Sequence, residues 1–396
     1  MMKPLLRLTI APLVSLAIIM LGQGFFNTFV SYRLALAGYS TSMNGIVNAA
    51  YFLGMMLGSH YIERFIRRIG HIRAFALFAS INAATLISLS FSFSIVYWIA
   101  LRFVVGICAA GLFVVIESWL LLLSTKKTRG RLLSFYMISI YLAQGVGQFI
   151  LNLMPLETYI PYAVAVLLSS LSVIPVCVMR SGAPQYSEDA SATTIFHVMR
   201  DAPFGFVGCL IAGLVLSSFY SLGPVFAKNS GFTILQVTQI MGFTILGGLF
   251  LQWPLGHLSD IFDRVKVLLC VAAVLVFITL GLFFTTSYAL LLCLAVLFGG
   301  FSFTLYPLAI AYTCDYFHSS KIISITSALY VVYGVGSIIG PLLAPIFMTN
   351  IRPSALFLYD TCLLIIVIGF GLASLSRKRP QIDEEHQGEY IPLPRT

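Results

Sequence analysis

Apolar stretches of about twenty residues recur from one end of this 396-residue chain to the other, separated by short polar segments. A run of that length matches the hydrocarbon core of a bilayer, which takes about 20 apolar residues per helix. Charged residues make up 9% of the sequence and hydrophobic residues 59%, against about 25% charged in a typical soluble domain. The chain therefore lacks the polar surface needed to face water. In lipid, only helices and closed barrels satisfy every backbone polar group internally. Runs this long, without period-two alternation, exclude the barrel and predict an all-α fold.

Hydropathy places twelve spans near 8–32, 43–60, 74–94, 97–123, 132–153, 160–179, 204–227, 236–255, 267–285, 288–313, 322–348 and 354–375. Lys3 and Arg7 ahead of the first run resemble a signal peptide, but no small-residue cleavage site follows, so the run reads as the first span. The longest connection, Arg180–Pro203, divides the chain six plus six. This gives an N-terminal six-helix bundle (1–180), a linker (181–203), a C-terminal bundle (204–376) and a polar tail (377–396). The tail composition suits disorder.

The formal charge of +9 would suggest nucleic acid in a soluble protein, but the basic residues sit in short loops and form no stripe. With the N-terminus in the cytoplasm, 19 of the 23 Lys and Arg fall on that side, three (Arg33, Lys228, Arg352) outside, and Arg102 within a span. The positive-inside rule thus predicts an inner-membrane protein with both termini cytoplasmic. The seven cysteines show no CxxC spacing, so packing is their expected role and a zinc site or disulfide framework is not. No G-x-x-x-x-G-K-[ST] motif occurs and the six histidines lie at loops or span ends. ATP hydrolysis by this chain, a bound cofactor and an enzymatic role are not expected.

The halves resemble each other. IYLAQGVGQFI (140–150) aligns with LYVVYGVGSII (329–339), and SHYIERFIRR (59–68) echoes GHLSDIFDRV (256–265). Both pairs fall at corresponding spans, with offsets of 189 and 197 residues. Parallel six-helix repeats of this kind resemble the major facilitator superfamily. Its loop signature between spans two and three, G-x-x-x-D-R-x-G-R-R, is approximated by Ser59, Glu63, Arg64, Arg67 and Arg68, with Ile66 at the second glycine position. The second copy keeps Gly256, Asp260 and Arg264 but carries Ile261 in place of the first arginine. The span-four pattern R-x-x-x-G is matched by Arg102 and Gly106. The antiporter pattern G-x-x-x-G-P is missing from span five and stands instead in span eleven at Gly336, Gly340 and Pro341. Stretches such as GHIRAF and VIESWL look like a bacterial branch of transporters with unassigned substrate. The resemblance implies a twelve-helix transporter fold with the substrate site between the halves near the midplane. It also implies a conformational latch formed by Glu63, Arg64, Arg67, Asp260 and Arg264.

Charges inside spans mark function because they are costly to place there. Arg102 and Glu117 lie fifteen residues apart in span four, roughly 22 Å along a helix and about 60° apart around it, so both are expected to face one cavity. Glu117 is the expected protonation site and Arg102 a coupling or anion-binding residue. Asp315, at the cytoplasmic end of span ten, is expected to be solvated or paired with Lys321, and Asp360 lies just inside span twelve; both are weaker charge candidates. Polar and aromatic candidates for the cavity wall are Gln23, Asn27, Asn48 and Tyr51. Span five adds Gln144, Gln148 and Asn152 at i, i+4 and i+8, a stripe that also suits polar contacts between helices. Tyr220, Gln252, Trp253, Tyr306, Tyr330 and Tyr333 complete the set from the second half.

These readings predict a monomeric secondary transporter that moves a small organic solute by alternating access with proton coupling. Its expected partners are that solute, protons and the lipid bilayer, with no nucleic acid. Efflux of amphipathic compounds, drugs or siderophores, and a non-transporting receptor on the same fold, are the alternatives.

Overall fold

The computed structural model describes residues 2–124, 128–178, 195–317 and 322–375; within these, the side chains of 2–8, 63, 129–131, 195–197 and 322–323 are not described. Most of the linker, the tail, Lys126, Lys127, Lys321 and the Glu63 side chain therefore lie outside the described residues. Among the described residues there is no strand. The first half comprises α1 (Met2–Leu36), α2 (Thr41–Ile69), α3 (His71–Ser88), α4 (Ile95–Leu123) and α5 (Arg129–Ile150). A 3₁₀ turn (Leu151–Leu153) leads to α6 (Ile160–Leu171) and α7 (Val173–Val178), which together form the sixth span. Short α8 (Ile195–Asp201) precedes the second half: α9 (Pro203–Asn229), α10 (Ile234–Ile261), α11 (Arg264–Phe284), α12 (Tyr288–Cys314), α13 (Ile322–Asn350) and α14 (Ala355–Leu375).

Eleven spans among the described residues are long and apolar enough to cross a membrane. The twelfth, α2, has 29 residues, enough at about 1.5 Å each to cross a core of about 30 Å. Its apolarity is diluted by Asn44, Asn48, His60 and the arginines of its last turns. The asparagines are turned into the protein, with Asn44 and Asn48 both buried. Polar side chains inside a span thus accompany the site.

The internal repeat is visible in how the helices touch. A methyl group added to Gly147 of α5 would meet the Leu21 carbonyl of α1, and one on Gly336 of α13 would meet the Leu210 carbonyl of α9. The other glycine of each G-V-G turns across to the opposite bundle. Gly145 faces Leu246 and Gly242 of α10, while Gly334 faces Met56 of α2. Each motif therefore brings its helix against the first helix of its own half and the second helix of the other. Small residues permit such approaches where lipid offers no hydrophobic drive between helices.

The cap residues repeat as well. Ser40 accepts a hydrogen bond from the Met43 amide at the start of α2, and Thr233 forms a capping box with Gln236 at the start of α10. Each cap satisfies donors that a helix N-terminus otherwise leaves unpaired. One packed core fills the second half around Phe219, Phe298 and Phe357. Two fill the first, around Trp119 and Phe75 and around Phe29 and Trp98.

The bundles meet tightly at one end, that of the α1–α2 and α9–α10 turns. There the Lys228 ammonium donates to the Ala35 carbonyl at 3.0 Å, and the Asn152 amide donates to the Thr238 hydroxyl at 2.8 Å. Gly45 of α2 lies against Pro341 and Pro345 of α13, and Phe149 packs edge-on to Phe243.

Candidate functional site

Between the bundles lies a cavity of about 520 Å³, within the roughly 300–1,000 Å³ usual for small-molecule sites. Its wall draws on α1, α2, α4 and α5 from the first half and α9, α10, α12 and α13 from the second. The end described above closes it. Toward the other end, the lining residue Met137 is 39% exposed and Glu117 of α4 is exposed, so solvent reaches the cavity from that side.

Arg102 is the only charged residue of the wall among the described residues and is 1% exposed. One guanidinium nitrogen donates to Asn27 Oδ1 and another to Asn48 Oδ1, both at 3.1 Å. Its carbon sits 4.4 Å from the centre of the Tyr51 ring, within the reach of a cation–π contact. Asn48 is held in turn: its amide donates to Ser31 Oγ at 3.1 Å and to Asn44 Oδ1 at 2.9 Å, while Asn44 donates to the Ser31 carbonyl at 2.7 Å. The local sequence explains the convergence. Asn44, Asn48 and Tyr51 follow one another at i, i+4 and i+7 along one face of α2. Gly106 and Gly54 let α2 and α4 close to backbone contact, with Gly106 against the Tyr51 carbonyl and Gly54 against the Phe103 carbonyl. Arg102 is thereby pressed onto the asparagine ladder.

Among the described residues the partners of Arg102 are all neutral, and its Nε has no hydrogen-bond partner. Among the same residues the Gln23 amide, one turn from Asn27, has neither its nitrogen nor its oxygen paired, and the Ser221 hydroxyl across the cavity is unpaired too. Buried polar groups are normally paired. Three residues of this wall therefore hold hydrogen-bonding capacity that the protein does not consume.

Of the residues expected to line the cavity, Gln23, Asn27, Asn48, Tyr51, Gln144, Tyr220, Gln252, Tyr306, Tyr330 and Tyr333 do so. The span-five stripe divides by depth. Gln144 lines the cavity, Gln148 donates to the Gly24 carbonyl at 2.6 Å, and Asn152 binds Thr238 across the bundles. Trp253 lies elsewhere: it is 77% exposed and stacked on His257, on the outside of α10. One residue away from Gln252, it is turned by about 100° from the cavity face.

The angular argument for Glu117 accounts for direction but not for depth. It faces the gap between bundles, within electrostatic reach of Tyr136, Tyr306 and Tyr330, but stands beyond the lining residues at the open mouth. Asp360 of α14 is fully buried, with neither oxygen hydrogen-bonded among the described residues, and is not a lining residue. Asp315 is paired with Arg264, whose Nε lies 3.3 Å from its carboxylate; the expected partner Lys321 is outside the described residues. Arg264 also reaches Asp260 at 3.5 Å, so this cluster ties α10, α11 and the end of α12 together. Arg64 and Arg67 are exposed at the matching end of α2.

Sequence reasoning missed Phe113, Tyr141, Phe303, Ser221 and Ser337 on the wall. Isolated aromatics and serines in apolar spans carry no signal that separates cavity from core. Tyr141 packs edge-on to Phe303 across the bundles at 5.2 Å, and Tyr306 lies 4.7 Å from Tyr333.

Two pseudo-symmetric six-helix bundles around a solute-sized cavity that is closed at one end define a polytopic membrane transporter. The family model of the Major Facilitator Superfamily matches residues 13–260 and 240–395, and the chain belongs to that superfamily. It is 31% identical over 349 residues to the uncharacterized MFS-type transporter YcaD of Salmonella enteritidis, covering 87% of this chain and 90% of that protein. Its Escherichia coli counterpart is 32% identical over 346 residues, covering 87% and 89%. Among solved structures, the nucleoside transporter NupG superposes with a TM-score of 0.77 at 14% identity, covering 94% of this chain and 100% of that one. A D-xylose–proton symporter superposes with a TM-score of 0.72 at 13% identity, covering 92% and 96%. At such identities the structures share the fold.

Proposed function

We propose that this protein is a secondary transporter that carries a small organic solute across the inner membrane by alternating access, driven by the proton gradient. The observation that carries the reading is the cavity itself. It is walled by both bundles, sealed by inter-bundle contacts at one end and reached by solvent from the other. With the Lys- and Arg-rich loops in the cytoplasm, that open side is cytoplasmic and this conformation is inward-open. In the opposite state the Gly45–Pro341, Asn152–Thr238 and Lys228–Ala35 contacts separate while the ends bearing Arg64, Arg67 and Arg264 converge. The charged cluster of Asp260, Arg264 and Asp315 lies within one bundle and stays together through that motion.

Proton coupling is assigned to Glu117, at the mouth that each solute must pass. The proton symporter of the same fold supports a gradient-driven cycle. Reconstitution into liposomes tests the reading. Solutes that stabilise the purified protein, screened among amino acids, nucleosides, organic acids, siderophores and drugs, are expected to show counterflow and to accumulate against an imposed pH gradient. Glu117→Gln should abolish gradient-driven accumulation and spare exchange. A variant that keeps wild-type accumulation at every pH would remove Glu117 from the mechanism. Ligands that bind without any counterflow would make the protein a receptor.

A further inference from the structure

We propose that the solute is an organic monoanion with a flat aromatic or apolar body, and that its acidic group is received by Arg102 and Gln23. The inference rests on the transporter reading for its direction but on the site alone for its chemistry. An arginine side chain keeps its charge in proteins. A buried charge without a counter-charge is costly, and the usual remedy is an ion pair. Arg102 is 1% exposed and no carboxylate is paired with it among the described residues; its two acceptors are the amide oxygens of Asn27 and Asn48. Those amides fix the guanidinium in place and bring it no negative charge.

Two further observations point the same way. The Nε of Arg102 and the amide nitrogen of Gln23 are both buried donors without partners among the described residues, and both residues line the cavity. Both atoms are covered in this conformation, and a turn of the two side chains toward the cavity offers two donors and one positive charge to a carboxylate, whose oxygens accept several hydrogen bonds. A cationic solute would meet Arg102 as a like charge in a poorly screened setting. The rest of the wall supplies the complementary surface. Tyr51, Phe113, Tyr141, Phe303, Tyr306 and Tyr333 present ring faces and edges around the same space, and aromatic pairs prefer offset or edge-to-face geometry. A volume of about 520 Å³ accommodates one to two fused rings with an acidic arm. Ser221 and the tyrosine hydroxyls can bind polar substituents on the body.

The test uses purified full-length protein in detergent and three bodies, indole, naphthalene and biphenyl. Each carries a carboxylate, a primary amide or an amine on the same short arm. Binding is followed by thermal shift and quantified by calorimetry. Acids of at least one body are expected to bind about 10- to 100-fold more tightly than their amides, as for one charge-assisted contact, and amines not at all. Arg102→Gln should erase the preference for acid over amide. Because that variant can fail to fold, Asn48→Asp serves beside it. It places a carboxylate where an acceptor already lies 3.1 Å from the guanidinium, at the loss of the hydrogen bonds that the amide donates to Ser31 and Asn44, so it should keep a cooperative melting transition while abolishing acid binding.

Amides or amines that bind as well as the acids would overturn the proposal. So would the absence of stabilisation by every acid at its solubility limit, or Asn48→Asp binding acids unchanged. The outcome separates from the transport reading. Acids that bind but show no counterflow defeat transport and leave the site standing. Counterflow of a neutral or cationic solute that survives Arg102→Gln defeats the site and leaves transport standing.

Discussion

Gly45→Ala should open the sealed end of the cavity without loosening either bundle. The added carbon would fall well inside 3.0 Å of the Pro341 carbonyl oxygen, and at 3.1 and 3.2 Å from the Pro341 carbonyl carbon and Pro345 Cγ, all on the partner bundle's α13. A backbone carbonyl in a helix cannot rotate away, so the overlap is relieved only when α2 and α13 move apart. Overpacking of this kind costs roughly 1–3 kcal/mol. If the two states are otherwise close in energy, that shifts the closed-to-open ratio at this end by about 5- to 150-fold. The assay is double electron–electron resonance between nitroxides at Ala37 and Ser230, exposed on the two sides of the seal, in a background with the seven native cysteines replaced. A longer-distance population should grow by that factor. Gly106→Ala is the control: its added carbon meets the Tyr51 carbonyl within one bundle, so it should lower the melting temperature and leave the distance distribution alone. If Gly45→Ala lowers the melting temperature as Gly106→Ala does and leaves the distances at their wild-type values, the α2–α13 contact is not a separable gate and the reasoning is wrong.

Asn48→Ala removes the acceptor for one Arg102 nitrogen and the contacts to Ser31 and Asn44; it should cost about 1–3 kcal/mol, read as a lower melting temperature. Asp315→Asn breaks an ion pair whose side chains are 29% and 52% exposed, so its cost should stay below about 1 kcal/mol and shrink further when salt is added to the thermal-shift assay. Asp360→Asn replaces a fully buried carboxyl group with no hydrogen-bond partner among the described residues by a neutral amide of the same shape, and should keep or raise the melting temperature. A clear fall would mean that the carboxyl group has a partner in the folded protein.

How much of this was legible in the sequence depends on which physical signal each feature carries. Span positions follow from hydropathy, so α1 to α7 and α9 to α14 stand close to where the apolar runs lie, while the short α8 falls in the connection that the sequence shows as polar. The G-V-G repeat identified equivalent helices, and the structure adds that one glycine of each pair faces its own bundle and the other faces across. Arg102, Asn27 and Asn48 were each legible as polar groups inside spans. Their convergence was not, because it depends on how closely α2 approaches α4 at Gly54 and Gly106. Helical periodicity gives an angle but no depth, which is why Glu117 falls at the mouth and not on the wall. Trp253 shows the complementary failure: beside a lining glutamine in sequence, it points outward from α10, stacked on His257. The stripe of Gln144, Gln148 and Asn152 was correctly periodic, yet its members serve the cavity, α1 and α10 in turn because neighbours change along α5 and the 3₁₀ turn that follows it.

The two halves are built alike but equipped differently. The first supplies the cavity's charge and most of its amides, through Arg102, Gln23, Asn27, Asn48 and Gln144; the second supplies chiefly tyrosines and serines. On the proposed reading the headgroup is received by the first half alone, while the body is met by both halves, through Tyr51, Phe113 and Tyr141 on one side and Phe303, Tyr306 and Tyr333 on the other. Sequence drift on α9, α12 and α13 can therefore retune the size and outline of the cargo while its polarity requirement is inherited unchanged. The same division gives protein engineers a route to new cargoes by exchanging one half of the wall at a time.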